Sequence, residues 1–190
     1  MSAVPKIETV LAPEEYIAGE LLSQVRHEYI SGRVYSMAGT SANHNYIAGN
    51  FMIELGIHLR GKICAPFMND MKVRIREASD ESYYYPDVMV NCDPAGQQTY
   101  FCNTPALIVE VLSPSTEAID RREKLTAYRR IPSLHTYILA EQDKREVTVY
   151  RRLPEGWEKT VLTGADTLHV PELEFSITLD AIYARTGLEA

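Results

Sequence analysis

Apolar and polar positions along the chain follow two periods. Ile47, Phe51, Leu55 and Leu59 recur at intervals of four, the buried stripe of a helix that Ser41 can cap and that runs to about Arg60. A shorter helix is predicted over residues 13–22, opened by Pro13-Glu14-Glu15. Elsewhere the runs are short and rich in β-branched and aromatic residues, which favours strands. His27–Ile30 and Arg33–Met37 predict a hairpin about Ser31-Gly32, and Ile63–Phe67, Met71–Arg76, Tyr84–Val90 and Leu107–Leu112 predict further strands. Residues 91–104, with Pro94, Gly96 and two Gln, read as a surface loop. Ser115 or Thr116 caps a second helix that ends before Pro132. Thr136–Ala140, Val147–Arg151 and Trp157–Leu162 then give a strand and a hairpin turning at Leu153-Pro154-Glu155-Gly156, with a short helix near 179–184. This order fits an α/β fold, with a mixed central sheet flanked by helices and an added β meander, better than a sandwich or a bundle. No repeat or linker divides residues 1–190, so they read as a single domain.

One residue breaks the pattern. Ala106-Leu107-Ile108-Val109-Glu110-Val111-Leu112 is apolar on both alternating faces, as expected of a strand buried on both sides, yet it carries Glu110 at its centre. An ionised carboxylate there is costly unless a cation or several donors compensate it. Upstream, the strand-like run Tyr83-Tyr84-Tyr85-Pro86-Asp87-Val88-Met89-Val90 carries a second acid. Two acids on neighbouring strands form a hard-oxygen site suited to Mg²⁺ or Mn²⁺, provided both reach the same side of the sheet. The plainer readings are a turn acceptor for Asp87 and a core-edge ion pair for Glu110. Asp120, Lys124 and Tyr128 lie at intervals of four, so they share one helical face just after the Glu110 strand, either as an ordinary ion pair or as a group reaching back to the acids. His44, near the first turn of the long helix, is suited to contact a phosphate or to serve as a satisfied structural histidine.

Pro86-Asp87 followed by Glu110-Val111-Leu112 resembles the PD-(D/E)-x-K nuclease signature, with Leu112 where that signature has lysine. The longer string Glu110-Val111-Leu112-Ser113-Pro114-Ser115-Thr116, then Asp120, Lys124 and Tyr128, resembles one bacterial restriction-endonuclease family, formerly a domain of unknown function. In that family the catalytic lysine moves from the strand to the following helix. The resemblance extends to Glu28, Gly32, Met37 and His44 and covers roughly residues 10–185. It implies a restriction-endonuclease-like fold and a Mg (or Mn) site on Asp87, Glu110 and the Val111 carbonyl. It further implies catalytic roles for Lys124 and Glu28, and DNA phosphodiester hydrolysis as the activity. Two rival readings stay open: a degenerate nuclease fold acting as a nucleic-acid-binding or regulatory module, and a hydrolase of a smaller phosphorylated ligand. A homodimer is expected of an enzyme that cuts both strands of a duplex.

Composition narrows the classes further. At 45% hydrophobic and 24% charged, the 190-residue chain is neither disordered nor fibrous. Cys64, Cys92 and Cys102 are odd in number and lack C-x-x-C spacing, so reduced thiols in a cytoplasmic protein are expected. The N-terminal Met1-Ser2-Ala3-Val4-Pro5-Lys6 opens no apolar signal segment, and no apolar run approaches the roughly 18 residues of a membrane span. A net charge of −7 argues against nonspecific coating of nucleic acid. Arg121, Arg122, Lys124, Arg129 and Arg130, and Lys72, Arg74 and Arg76, are candidate basic faces. Tyr83–Tyr85 offers either base stacking or packing.

Overall fold

The computed structural model describes residues 10–37, 39–77, 80–114 and 117–189. Met1–Lys6 and the proposed caps Ser115 and Thr116 lie outside them.

Strand β8 (Pro105–Leu112) is the spine, and every one of its residues is buried. It lies between β6 (Val88–Asn91), antiparallel, and β9 (Thr136–Glu141), parallel. With β3 (Ala65–Met68), β10 (Glu146–Leu153) and β11 (Gly156–Thr163) these form a six-stranded mixed sheet ordered β11-β10-β9-β8-β6-β3. Leu107, Val109 and Val111 face one side, packed with Ile47, Phe51, Leu55 and Leu59 of helix α2 (Ala42–His58). Each fully buried side chain of that stripe contributes about 1.5–3 kcal/mol of apolar transfer. Ser41 caps α2 as expected, accepting the His44 N–H at 3.1 Å.

Ile108 and Leu112 face the other side, which a second sheet covers as well as a helix. This five-stranded sheet is ordered β2-β1-β5-β4-β7, from β1 (His27–Ile30), β2 (Arg33–Ser36), β4 (Lys72–Glu77), β5 (Asp80–Tyr84) and β7 (Phe101–Cys102). Helix α1 (Pro13–Glu20) leans on it through Tyr16, which stacks on Tyr29. The β1–β2 turn needs Gly32: its φ is +90°, Ser31 before it is also left-handed, and a Cβ would run into Val10.

Several expectations are corrected. The single strand over Tyr84–Val90 is two strands in different sheets. Tyr84 ends β5 and Val88 begins β6, because Pro86 has no N–H for a ladder and the chain crosses between the sheets there. Residues 91–104 are more ordered than a surface loop: Pro94–Gly96 is a 3₁₀ turn, and Cys102 of β7 is fully buried beside β4. The alternating Leu168, Val170, Phe175 and Ile177 build an extra hairpin, β12 (Thr167–Val170) and β13 (Phe175–Thr178), whose apolar side joins the α2 core. Helix α5 (Leu179–Ile182) closes the chain. Cys64 and Cys92 are not free thiols but a disulfide, since antiparallel β3–β6 pairing brings together the residues just outside Ala65 and Asn91. Only spatial register could show that pairing. Among the described residues no helix is long and apolar enough to cross a membrane.

Candidate active site

After β8 the chain turns through α3 (Glu117–Ile119), a π-helical turn Asp120–Lys124, and α4 (Leu125–Tyr128). Asp120, Lys124 and Tyr128 all end up buried, facing β8. Glu110, in the even-numbered set of β8, points at them and is only 3% exposed. Lys124 Nζ donates to Glu110 Oε1 at 3.1 Å, and Tyr128 Oη donates to the same oxygen at 2.8 Å. The ammonium also lies 3.0 Å from Glu28 Oε1, brought in from β1, and 3.2 Å from Asp120 Oδ1. That Asp120 oxygen is within ion-pair distance but out of hydrogen-bond alignment, so its pull is Coulombic. Glu28 is held in turn by the Tyr85 N–H at 3.2 Å.

Asp87 occupies the crossing between the sheets. Its Oδ2 accepts the Val111 N–H at 2.7 Å and lies 3.3 Å from His44 Nε2, while its own N–H points at Glu110 Oε2 at 3.4 Å. β6 pairs with β8 only as far as Val88↔Val109, so beyond Val109 the β6 side of β8 is open. A residue's N–H and C=O share a side on an extended strand, so the Val111 carbonyl also lies on the Asp87 side. One cleft of about 230 Å³ is lined by Glu28, His44, Asp87, Glu110, Val111 and Lys124 together. The structure therefore brings together every residue singled out for the site. It gives Tyr128, already placed on that helical face by its spacing, the role of a donor to Glu110, and it adds the Tyr85 backbone N–H, which carries no sequence signal.

Burial pushes the Glu110 carboxyl well above the ordinary range; Lys124 opposes the rise, and Asp120, Asp87 and Glu28 add to it. Burial alone would pull the Lys124 ammonium down, but Glu110, Glu28 and Asp120 more than offset it, so the amine stays charged. Tyr128 is held neutral by burial and by Glu110, and Tyr84 beside it is pushed up to about 12 by burial and Glu28. A carboxyl whose folded pKa exceeds its unfolded value stabilises most in acid, and that stability fades as pH rises through the folded pKa. The metal-free wild type should therefore lose stability relative to Glu110→Gln as pH climbs above 4.5. Urea denaturation across pH measures this, and a difference that stays constant would mean that Glu110 ionises normally.

Among the described residues no three His, Cys, Asp or Glu side chains gather as a ready-made cation cage. The donors present are hard oxygens: two carboxylates and a strand carbonyl. That suits Mg²⁺, which is usually bound by one or two carboxylates while keeping water and substrate phosphate as its other ligands. The basic runs are mostly engaged internally. Arg121 pairs with Glu117 and Glu141, Arg130 with Glu77, and Arg74 and Arg76 with Glu81, while Arg129 lies over the Tyr150 and Trp157 rings. Tyr83, Tyr84 and Tyr85 are all buried and pack, with Tyr83 and Tyr84 meeting neighbouring aromatic rings.

A mixed sheet with an acid pair at its open edge and a lysine on the following helix places the molecule in the restriction-endonuclease-like α/β class. The chain belongs to the Uma2 family, whose model carries the description "Putative restriction endonuclease" and matches residues 13–181. It is similar to two uncharacterized proteins of Synechocystis sp. One is 37% identical over 175 residues, 91% of each chain; the other is 34% identical over 171 residues, 88% of this chain and 93% of that one. The fold matches the crystal structure of "a putative nuclease belonging to DUF820" from Anabaena variabilis. The TM-score is 0.72 at 17% identity, over 91% of this chain and 97% of that one.

Proposed function

We propose that this protein is a metal-dependent endonuclease hydrolysing DNA phosphodiester bonds. The observation that carries the reading is the convergence of Asp87, Glu110 and Lys124 in one cleft, on a chain of this family. Asp87, Glu110 and the Val111 carbonyl would hold Mg²⁺ or Mn²⁺. Such an ion, when bound, neutralises a phosphate oxygen and makes water a better nucleophile at neutral pH. The rest of the chemistry belongs to the chain. Lys124 stays protonated, so it orients the attacking water and offsets negative charge rather than removing a proton. Glu28 and Asp120 fix the ammonium in place. His44 and the Val111 N–H fix the Asp87 carboxylate, leaving its second oxygen for the ion.

A binding module without catalysis is the second reading. Leu112 favours it, being buried where the standard motif has lysine, as does the way Lys124 is already satisfied by three carboxylates. Two measurements decide between them. Plasmid DNA should be cut in Mg²⁺ or Mn²⁺ and left whole in EDTA. Calorimetric titration should show metal affinity falling about tenfold or more in Asp87→Ala and Glu110→Ala, since each removes one of few protein ligands. Unchanged affinity in both variants would place the metal elsewhere, and uncut plasmid with every metal would favour the binding module.

A further inference from the structure

The acid cleft opens into a larger recess. The two share walls at Met37, Gly39, Thr40, His44, Tyr85 and Asp87. The recess holds about 620 Å³, within the roughly 300–1,000 Å³ that encloses small organic ligands. Its far wall is the connection from α1 to β1 and the turn from β3 to β4, tied together by the Arg26–Asp70 ion pair. Beside the charged Glu20, Arg26, Asp70 and Asp87 it is lined by the neutral polar residues Gln24, Thr40, Asn45 and Asn69, of which Asn45 already donates to Thr40 and to the Ser41 carbonyl. Amide groups of this type read the hydrogen-bonding edge of a base.

The charge around the recess argues against a duplex held by its backbone. Glu20, Glu28, Asp70, Asp87, Glu110 and Asp120 line the two clefts, against the cations Arg26 and Lys124, both already in ion pairs. Duplex binders commonly neutralise about 6–10 phosphates with Lys and Arg. Here the arginines outside the site are mostly bound to acids or to rings of their own chain. Binding must then draw on contacts to the base itself, and a recess of this kind can enclose a base only when it is out of the stack.

We infer that the recess receives an unpaired DNA base, so that the site acts on a strand with a nucleotide already outside the helix, in a bulge, loop or single-stranded stretch. The inference rests on the nuclease reading above and names its substrate class. Placing a base in the recess means unstacking and unpairing it, which is least costly where the pairing is already lost.

Affinity is measured by fluorescence anisotropy in Ca²⁺, on three DNAs of one sequence: a perfect duplex, that duplex with one bulged nucleotide, and the single strand. The bulged and single-stranded DNAs should bind at least about tenfold tighter than the duplex, the scale of an unstacking step avoided. Asn45→Trp, at an exposed position on the recess wall, should fill the space and remove that preference while leaving duplex affinity unchanged. Gln24→Trp does the same from the opposite wall and covers the case in which the first variant fails to fold. Equal affinity for all three DNAs, or a preference that survives both tryptophans, overturns the inference even if the wild type cuts plasmid. A tenfold preference in a protein that cuts nothing upholds the recess and sinks the catalytic reading.

Discussion

Lys124→Met should lower DNA hydrolysis by about 10²-fold or more, the scale of a lost preorganised charge and hydrogen-bond donor, while metal affinity stays within a few-fold of wild type. The substitution keeps the apolar stem and removes the charge that lies 3.0 Å from Glu28 and 3.1 Å from Glu110. None of the three proposed metal ligands is itself replaced, although Glu110 loses one of its donors. Lys124→Arg should restore only part of the rate, because the planar guanidinium fork is wider than the compact ammonium and places its charge and donors differently. Stability must be followed in parallel. Three carboxylates lose their shared cation, and breaking a buried ion pair costs about 3–5 kcal/mol. The rates are therefore compared well below the variant's melting temperature. In the wild type, a Lys124 pKa raised above 10.5 means that its contribution to stability is complete below that pH and lost only as pH climbs through the raised value. Wild-type cleavage by Lys124→Met would remove the lysine from the mechanism.

Phe51→Ala should cost about 3–5 kcal/mol, read from the urea midpoint. Phe51 is fully buried at the middle of the α2 stripe, against Leu107, Val109 and Val111 of the central strand. In a domain of this size each kcal/mol shifts the melting temperature by about 2–4 °C. The metal affinity of the folded fraction should hardly change, since α2 lends the site only His44. A loss below about 1 kcal/mol would mean that α2 packs loosely enough to collapse into the space.

The core was legible wherever one period ran unbroken. The four-residue stripe of α2, the two-sided burial of β8 and the turn at Ser31-Gly32 follow from local pattern alone. What failed was pairing. Nothing between Tyr84 and Val88 announces that the chain leaves one sheet for another, because Pro86 is also common at the edge of a single strand. The second sheet was invisible as a sheet, since its strands are short and its β4–β7 contact joins residues about thirty apart. Cys64 and Cys92 meet only through the β3–β6 register. At the site, the acids stood out because a charge inside an apolar run demands compensation, and the intervals of four tied Asp120, Lys124 and Tyr128 to one face. Glu28 and His44 owed their place to the family pattern, as their neighbours alone fit several roles. The Tyr85 N–H that holds Glu28 has no sequence sign at all.

The widened turn at Asp120–Lys124 makes the site depend on how this stretch is wound rather than on its exposed side chains. Such a turn is a local excess of chain within a helix. Were the same residues to rewind into ordinary α geometry, everything beyond the turn would swing by about the 100° that one residue occupies. Lys124 and Tyr128 would then leave Glu110 with neither its cation nor its hydroxyl donor. Relatives that keep this site with the same number of residues can therefore vary the exposed side chains of the turn freely, but should keep its wide winding.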